Sequence, residues 1–208
     1  MCRSAFPKTR LVAVGRGRGR YRQKRRMKKK VLILSSSPRR GGNSDRLCDR
    51  FMEGAQEAGH DVEKIVLKDL RIGYCTGCGT CSESGKPCPL HDDAAEVLDR
   101  MVAAEVIVMA TPVYFYTLSA QMKTLIDRAC ARYLDMGGKE FYFILAAAES
   151  DVADMERTVE CFRGFRGFLD CLDGPTERGV IYGVGAWRVG EIEGTPAMTE
   201  AYEAGRNV

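Results

Sequence analysis

Histidine is scarce in this chain of 208 residues, where only His60 and His91 occur and neither has a spacing that suits a metal site or a catalytic triad. The sequence also lacks the Walker motif G-x-x-x-x-G-K-[ST] and the fingerprint G-x-G-x-x-G, which argues against nucleoside triphosphates and Rossmann-type dinucleotide sites. No apolar run approaches the ~20 residues of a membrane span, and no secretory signal is present. The length suits one domain with a full core.

Acidic residues are absent from the first 30 positions, which hold 13 of the 32 lysines and arginines. The other 178 residues carry 19 basic against 28 acidic side chains, a net charge of −9 that disfavours nucleic-acid binding by the folded surface. We interpret residues 1–29 as a disordered basic leader, with Met27 as an alternative translation start, and residues 30–208 as the folded domain. An arm attracted to RNA or to a membrane is the alternative for the leader.

Cysteine is plentiful by contrast, with nine in the chain. Four of them form a C-x₂-C-x₂-C-x₆-C motif: Cys75, Cys78, Cys81 and Cys88. Thiols at this spacing can surround one small metal centre, as at zinc and iron–sulfur sites. A 4Fe–4S cluster, a zinc ion and a metal-free loop are the three alternatives.

The remaining cysteines suggest burial and a reducing compartment. Cys48, Cys130, Cys161 and Cys171 fall on predicted helical stripes, so we expect them to be small core side chains. An odd number of cysteines without a secretory signal favours a cytoplasmic location.

From Lys30 onward, short apolar runs alternate with helical patterns. The runs predict five strands, at 31–35, 61–67, 105–112 (stopped by Pro112), 140–148 and 178–184. The predicted helices begin at Ser44, at Asp92 or Asp93 and at Ser119, or span 154–172 and 195–205. Single helices between strands indicate right-handed crossovers. The predicted fold class is therefore α/β, a flavodoxin-like doubly wound five-stranded parallel sheet of order 2-1-3-4-5, with its ligand at the ends of strands 1 and 3.

Both of those strand ends carry residues suited to a ligand. In SSSPRRGGNS, the hydroxyls of residues 35–37 and of Ser44 accompany the free N–H groups of a helix N-terminus, which predicts a phosphate site that includes Ser35. Arg39 and Arg40 add positive charge, and a capped Ser/Gly-rich turn is the alternative. In TPVYFY, the aromatic run provides an apolar wall for a planar ring or a dimer interface.

The segments SSSPRRGGNSDRL, CTGCGTCSESGKPCPLHDDA, TPVYFYTLSAQMKTLIDR and GVGAWRVGEIEGTPAM resemble the NADPH-dependent FMN reductase family, and within it the iron–sulfur flavoproteins. The resemblance implies that the FMN phosphate is bound by four residues of the first segment: Ser37, Arg39, Asn43 and Ser44. It implies that the isoalloxazine lies against four residues of the third: Pro112, Val113, Tyr114 and Phe115. The loop AAAESD, at 146–151, departs from the family's small or Gly-rich pattern.

The resemblance also implies a function. Electrons would pass from NAD(P)H through FMN to a 4Fe–4S cluster, to a small acceptor such as a flavin or quinone, or to a redox partner protein. We expect a homodimer or homotetramer. The alternatives are a cluster-free FMN or quinone reductase, a non-enzymatic flavodoxin-like electron carrier, and a zinc-loop module that uses the leader to bind RNA.

Overall fold

One mainly parallel sheet organises the chain in the computed structural model, which describes residues 27–158 and 161–208. The strands of these residues are β1 Lys30–Ser35, β2 Asp61–Val66, β3 Val106–Tyr114, β4 Thr117–Leu118, β5 Glu140–Ala146 and β6 Thr176–Gly183. The order along the sheet is β2-β1-β3-β5-β6, while the short β4 pairs antiparallel with the end of β3. Setting β4 aside, this is the predicted flavodoxin-like order.

Helices connect the strands and cover the sheet. In the described part of the chain they are α1 Asn43–Glu57, α2 Thr80–Ser84, α3 Ala94–Ala103, α4 Ala120–Arg128, α5 Val152–Thr158, α6 Cys161–Leu169 and α7 Pro196–Arg206. Ser119 caps α4 by accepting a hydrogen bond from the N–H of Met122, and Pro196 opens α7 at a position where its missing N–H costs nothing. None of the helices in residues 27–158 and 161–208 is long and apolar enough to cross a membrane.

The alternation of side chains along β1 divides the core into two layers. Val31 and Ile33 pack on one face with α1 and α7, whereas Leu32 and Leu34 pack on the other face with α3, α4 and α6. All four side chains are buried because both neighbours of β1 are strands and helices cover both faces. The central strands therefore hold their carboxyl ends in fixed positions.

On the first of these faces, α1 and α7 approach each other at two glycines. A Cβ atom at Gly54 would lie 2.1 Å from the carbonyl oxygen of Tyr202, and one at Gly205 would lie 2.0 Å from that of Phe51. No side chain fits at those distances, so these positions need glycine for the helices to pack so closely.

Several predicted element boundaries differ from the structure, most clearly in one strand and one helix. β3 does not stop at Pro112 but continues to Tyr114, because the chain beyond Pro112 turns back and pairs with β4. The predicted helix over 154–172 begins earlier, at Val152, and its second described part ends at Leu169. The side chains of Val159 and Phe162, predicted to face inward, lie outside the described residues, as do residues 1–26 of the leader.

Candidate functional site

A cleft opens where β1, β3 and β5 end, as the strand order predicts. We call it the strand-end cleft, and its lining residues are Ser37, Arg39, Asn43, Ser44, Pro112, Val113, Tyr114, Ala146, Ala147, Ala148, Ala186 and Trp187. The lining residues come from four segments that are far apart in sequence. Three follow or end β1, β3 and β5, and the fourth is the turn after β6. The arrangement combines hydroxyl, amide and guanidinium groups at one side with apolar groups at the other.

The polar side of the cleft surrounds the N-terminus of α1. The Ser44 hydroxyl is buried there and has no hydrogen-bond partner among the described residues. The first turn of α1 also has backbone N–H groups that no intrahelical carbonyl can reach. A buried hydroxyl without a partner beside such amides fits an anionic oxygen. Gly42 keeps this turn tight, since a Cβ there would lie 2.5 Å from the Ser37 hydroxyl oxygen.

Asp45 fixes the shape of the turn between β1 and α1. Its carboxylate accepts hydrogen bonds from the Ser35 hydroxyl (2.8 Å) and from the Gly41 N–H (3.1 Å), and it pairs with Lys64 at 2.7 Å. Burial raises the pKa of Asp45, but the hydrogen bonds from Lys64 and Ser35 outweigh it, so the pKa is lowered overall. Ser35 therefore supports the turn instead of lining the cleft, where the sequence placed it as a ligand.

Two residues of the first segment hold the turn after β6 against the cleft. The Asn43 amide nitrogen donates to the carbonyls of Ala186 (3.1 Å) and Arg188 (2.9 Å), and its oxygen accepts from the Gly190 N–H at 3.1 Å. Arg39 donates to the Trp187 carbonyl at 3.1 Å. We call residues 186–190 the tryptophan turn. Its position depends on side chains about 145 residues earlier in the chain.

The aromatic run of TPVYFY forms the tip of the β3–β4 hairpin. Tyr114 pairs with Thr117, so Phe115 and Tyr116 make a two-residue turn, and both have positive φ angles, 47° and 64°. Such a turn normally takes Asn-Gly, and bulky side chains in this backbone conformation are strained. Phe115 is 99% exposed and lies outside the cleft lining, unlike Tyr114.

The cleft thus brings together most of the predicted flavin-site residues, and it adds residues that the sequence did not assign. Ala147 and Ala148 line it even though AAAESD departs from the family's pattern, and Ala186 and Trp187 line it from the tryptophan turn. The sequence did contain a signal for Ala186 and Trp187. In GVGAWRVGE, the chain's single tryptophan follows a strand in a Gly-rich turn.

The four motif cysteines lie on a separate loop between β2 and α3. Cys75 and Cys78 are exposed, Cys81 and Cys88 are half-buried, and none is in a disulfide within the described residues. In residues 27–158 and 161–208, no three His, Cys, Asp or Glu side chains are close enough together to hold a metal ion. Four thiols on one short loop suit a cluster by their chemistry and spacing, but they do not surround one point in this structure.

A buried ion pair lies at the base of this loop. Arg128, at the end of α4, makes a two-pronged contact with Asp92, at 2.6 and 3.0 Å, and its side chain is 2% exposed. Its hydrogen bonds to Asp92 are the main reason why the pKa of that carboxyl is lowered. The same guanidinium contacts Cys88 and Gly73, the two ends of the cysteine segment.

The prediction of buried cysteines outside the motif was right for Cys48 and wrong for Cys130 and Cys171. Both exposed residues follow the end of a helix, α4 or α6, so the helical stripe does not continue to them. The side chain of Cys161 lies outside the described residues. Although Cys130 is exposed, partial desolvation raises the pKa of its thiol, and the neighbouring Cys81 and Cys75 raise it further.

The strand order, with a cleft at the strand ends between the first turn of α1 and the aromatic hairpin, defines a flavodoxin-like fold. The profile of the NADPH-dependent FMN reductase family matches residues 29–171. The chain belongs to this family, as the resemblance of its segments predicts.

Individual relatives agree with that assignment. An iron–sulfur flavoprotein of Methanocaldococcus jannaschii is 42% identical over 100 residues, which are 48% of this chain and 51% of the relative. An iron–sulfur flavoprotein of Archaeoglobus fulgidus is 37% identical over 99 residues, 48% of this chain and 44% of the relative. The chain thus matches about half the length of these curated relatives.

Solved structures share the fold at low sequence identity. The NAD(P)H:quinone oxidoreductase from Methanothermobacter marburgensis superposes with a TM-score of 0.68 at 22% identity, over 87% of this chain and 97% of that one. An FMN-dependent NADH-azoreductase from Bacillus anthracis, solved in complex with FMN, gives 0.67 at 17% identity, over 86% and 98%. These likenesses support the flavodoxin-like fold.

Proposed function

We propose that this protein is an FMN-dependent NAD(P)H oxidoreductase that binds FMN in the strand-end cleft. The observation that carries the proposal is the buried, unpartnered Ser44 hydroxyl at the N-terminus of α1, because it offers an anionic phosphate oxygen a ready hydrogen bond. Bound FMN would supply the hydride and electron chemistry, and the protein would supply position and electrostatics.

Each wall of the cleft has its own task in this proposal. Ser37, Ser44, Arg39 and the first N–H groups of α1 would bind the phosphate, with Asn43 beside them. Pro112, Val113 and Tyr114 would form the apolar wall against the ring, and Phe115 at the hairpin tip would contact the nicotinamide, the acceptor or a second protomer. We propose a homodimer or homotetramer in which a second protomer covers that exposed aromatic tip.

Ser44→Ala tests the phosphate assignment. Losing this hydroxyl should weaken FMN binding by about 1–3 kcal/mol, or roughly 5- to 150-fold, because the phosphate loses a buried hydrogen bond. Trp187 is the chain's single tryptophan and lines the cleft, so quenching of its fluorescence measures the binding. Thr199→Ala, which removes an exposed hydroxyl on α7, is the control and should bind FMN normally. Equal affinity of both variants and the wild type would place the phosphate elsewhere.

We propose further that Cys75, Cys78, Cys81 and Cys88 hold a 4Fe–4S cluster. Support comes from the four-thiolate donor set on one short loop and from the names of the relatives. The test is iron and sulfide content after anaerobic reconstitution. Cys78→Ser should lose the cluster and keep FMN, whereas Cys171→Ser, which alters an exposed thiol outside the motif, should keep both.

The same preparation separates the alternatives. Wild-type protein that binds FMN and oxidises NAD(P)H but takes up no iron is a cluster-free FMN or quinone reductase, with a flavin or quinone as acceptor. Protein that binds FMN but does not turn over nicotinamide is a flavodoxin-like carrier that serves a redox partner protein. Because the structure leaves the loop thiols apart, the cluster-free reductase is the second candidate.

For the leader, we propose that residues 1–29 are not part of the flavin domain, apart from the contacts of Lys29. Its ammonium group pairs with Glu140 at 2.9 Å, and its backbone N–H donates to His60 at 3.2 Å. A chain that starts at Met27 keeps both contacts and should keep its melting temperature and FMN affinity. A cytoplasmic location suits the reduced thiols that the cysteine loop needs.

A further inference from the structure

Arg128 joins three parts of the cysteine loop at one buried guanidinium. One of its terminal nitrogens donates to the Gly73 carbonyl (2.8 Å) and to Asp92 (2.6 Å). The other donates to Asp92 (3.0 Å) and lies 3.6 Å from the Cys88 sulfur. Gly73 stands two residues before the first motif cysteine and Cys88 is the last of the four, so one side chain fixes both ends of the segment.

Asp92, which lies just before α3, holds the start of the cysteine loop. Its carboxylate accepts hydrogen bonds from the Gly73 N–H (2.7 Å) and from the Ala94 N–H (3.1 Å). Gly73 is thus held through both its N–H and its carbonyl. Next to it, Asp93 accepts from the Arg71 N–H at 2.6 Å. The two ends of the loop are therefore held by hydrogen bonds from both backbone and side chains, although most residues of the loop are exposed.

The burial of Arg128 needs an explanation beyond helix packing. An arginine at 2% side-chain exposure loses its hydration, and such a charge persists only when it is paired and hydrogen-bonded. An apolar residue at the end of α4 would fill the space without that penalty. The Nε atom of Arg128 is also buried and has no partner among the described residues, so one N–H of the guanidinium is left without a hydrogen bond.

We propose that Arg128 is a positioning residue for the cysteine loop, holding Cys88 in place and supplying a positive charge and an N–H donor to its sulfur when that sulfur is a cluster ligand. The proposal rests on the proposed function of the loop. Positive charge and hydrogen bonds to ligand sulfurs favour the reduced, more negative cluster and so raise its reduction potential. A fixed Cys88 also keeps the fourth ligand from leaving.

The test compares Arg128→Gln with Arg132→Gln in the reconstituted full chain. Arg132 lies four positions further on and pairs with Asp99 and Asp135, away from the loop, so it is a matched control. In Arg128→Gln, iron should be lost to a chelator at least tenfold faster than in the wild type. The reduction equilibrium should shift tenfold toward the oxidised cluster, or about 59 mV more negative for one electron. Arg132→Gln should match the wild type in both, and FMN binding shows that each variant is folded.

Arg128→Lys separates charge from geometry. A lysine keeps the positive charge but cannot reproduce the planar fork that reaches Asp92, Gly73 and Cys88 together. It should restore the reduction potential and still lose iron faster than the wild type. If Arg128→Gln leaves both the potential and the rate of iron loss unchanged, the proposal is overturned.

A second measurement stands apart from the cluster itself. In the full chain before reconstitution, the Gly73 amide should exchange its hydrogen at least tenfold faster in Arg128→Gln, because the carboxylate that it bonds to is no longer fixed. Should the wild type take up no iron, the proposed cluster fails, and this exchange still decides whether Arg128 holds the loop. Unchanged exchange in that case refutes the positioning role.

Discussion

The tryptophan turn offers a sharp test of how the strand-end cleft is built, through Asn43→Ala. This change removes the side-chain amide that donates to two carbonyls of the turn and accepts from the Gly190 N–H. All three groups of the turn then lose their partner. A hydrogen bond contributes about 0.5–1.5 kcal/mol net, and two of these three are partly buried while the one to Arg188 is exposed. We therefore expect the free energy of unfolding to fall by about 1–3 kcal/mol.

The same change should weaken FMN binding, because the tryptophan turn forms one wall of the cleft and the variant no longer holds it in place. If ordering the turn costs what the lost hydrogen bonds contributed, about 1–3 kcal/mol, the affinity should fall by roughly 5- to 150-fold. Trp187 reports on both effects, since it is the chain's single tryptophan and lies on the turn. Its emission should show greater accessibility to acrylamide in ligand-free Asn43→Ala than in the wild type.

Riboflavin separates this positioning role from direct contact with the phosphate, which it lacks. If Asn43 acts by holding the turn, Asn43→Ala should weaken riboflavin and FMN by similar factors. If Asn43 acts only on the phosphate, as the family resemblance implied, riboflavin binding should not change. Asn43→Asp adds a third comparison, because a carboxylate cannot donate to the two carbonyls and should be no better than alanine.

Asn207→Ala is the control for these measurements. Asn207 is an exposed asparagine at the end of α7, where its amide donates to the carbonyl of Glu203 at 2.7 Å. Its loss should leave FMN affinity and the accessibility of the tryptophan unchanged. Our account of the turn is refuted if Asn43→Ala also stays within twofold of the wild type in FMN affinity and unfolds at the same denaturant concentration.

Three further predictions follow from the fold. Replacing Phe115 and Tyr116 by Asn-Gly should raise the unfolding midpoint in urea, because two bulky residues in a left-handed conformation each cost about 1–2 kcal/mol that Asn-Gly largely avoids; an unchanged midpoint would mean that the turn is not strained. Because the pKa of Asp45 is lowered on folding, its stabilising effect is present above the ordinary carboxyl pKa of about 4 and is lost as the pH falls through the folded value, so Asp45→Asn should make unfolding less pH-dependent below about pH 5 in denaturant titrations. Gly205→Ala should destabilise the protein by about 1–3 kcal/mol, since the new Cβ would meet a backbone carbonyl at 2.0 Å, whereas Gly194→Ala meets nothing within 4 Å and should be neutral in the same melts.

The strand order was predictable from sequence because it depends on local patterns. β1, β3 and β5 are short apolar runs, and helices with apolar stripes at helical spacing lie between successive strands of the parallel sheet. Right-handed crossovers leave few ways to arrange such units. The same reasoning placed the Ser/Gly-rich turn before α1 and Tyr114 at neighbouring strand ends, and the structure brings them to one cleft.

The tryptophan turn was not predictable in this way, although its sequence is distinctive. Its place beside the cleft depends on Asn43 and Arg39, which no periodicity connects to residues 186–190. The continuation of β3 past Pro112 escaped prediction for a related reason. A proline ends a strand only where its N–H is needed, and here the next residues pair with a hairpin strand of two residues, too short to show a period.

A single helix connects the two candidate sites. At its start, the Ser119 hydroxyl bonds to that of Ser36 (2.9 Å) at the end of β1, and the Ser119 N–H donates to Thr111 (2.9 Å) at the end of β3. At its end, Arg128 holds the base of the cysteine loop. The nine residues of α4 span about 13 Å at 1.5 Å per residue. Since both ends are tied by buried hydrogen bonds, α4 sets the distance between the strand-end cleft and the base of the loop, and a change in its length would alter that distance while leaving the residues of either site unchanged.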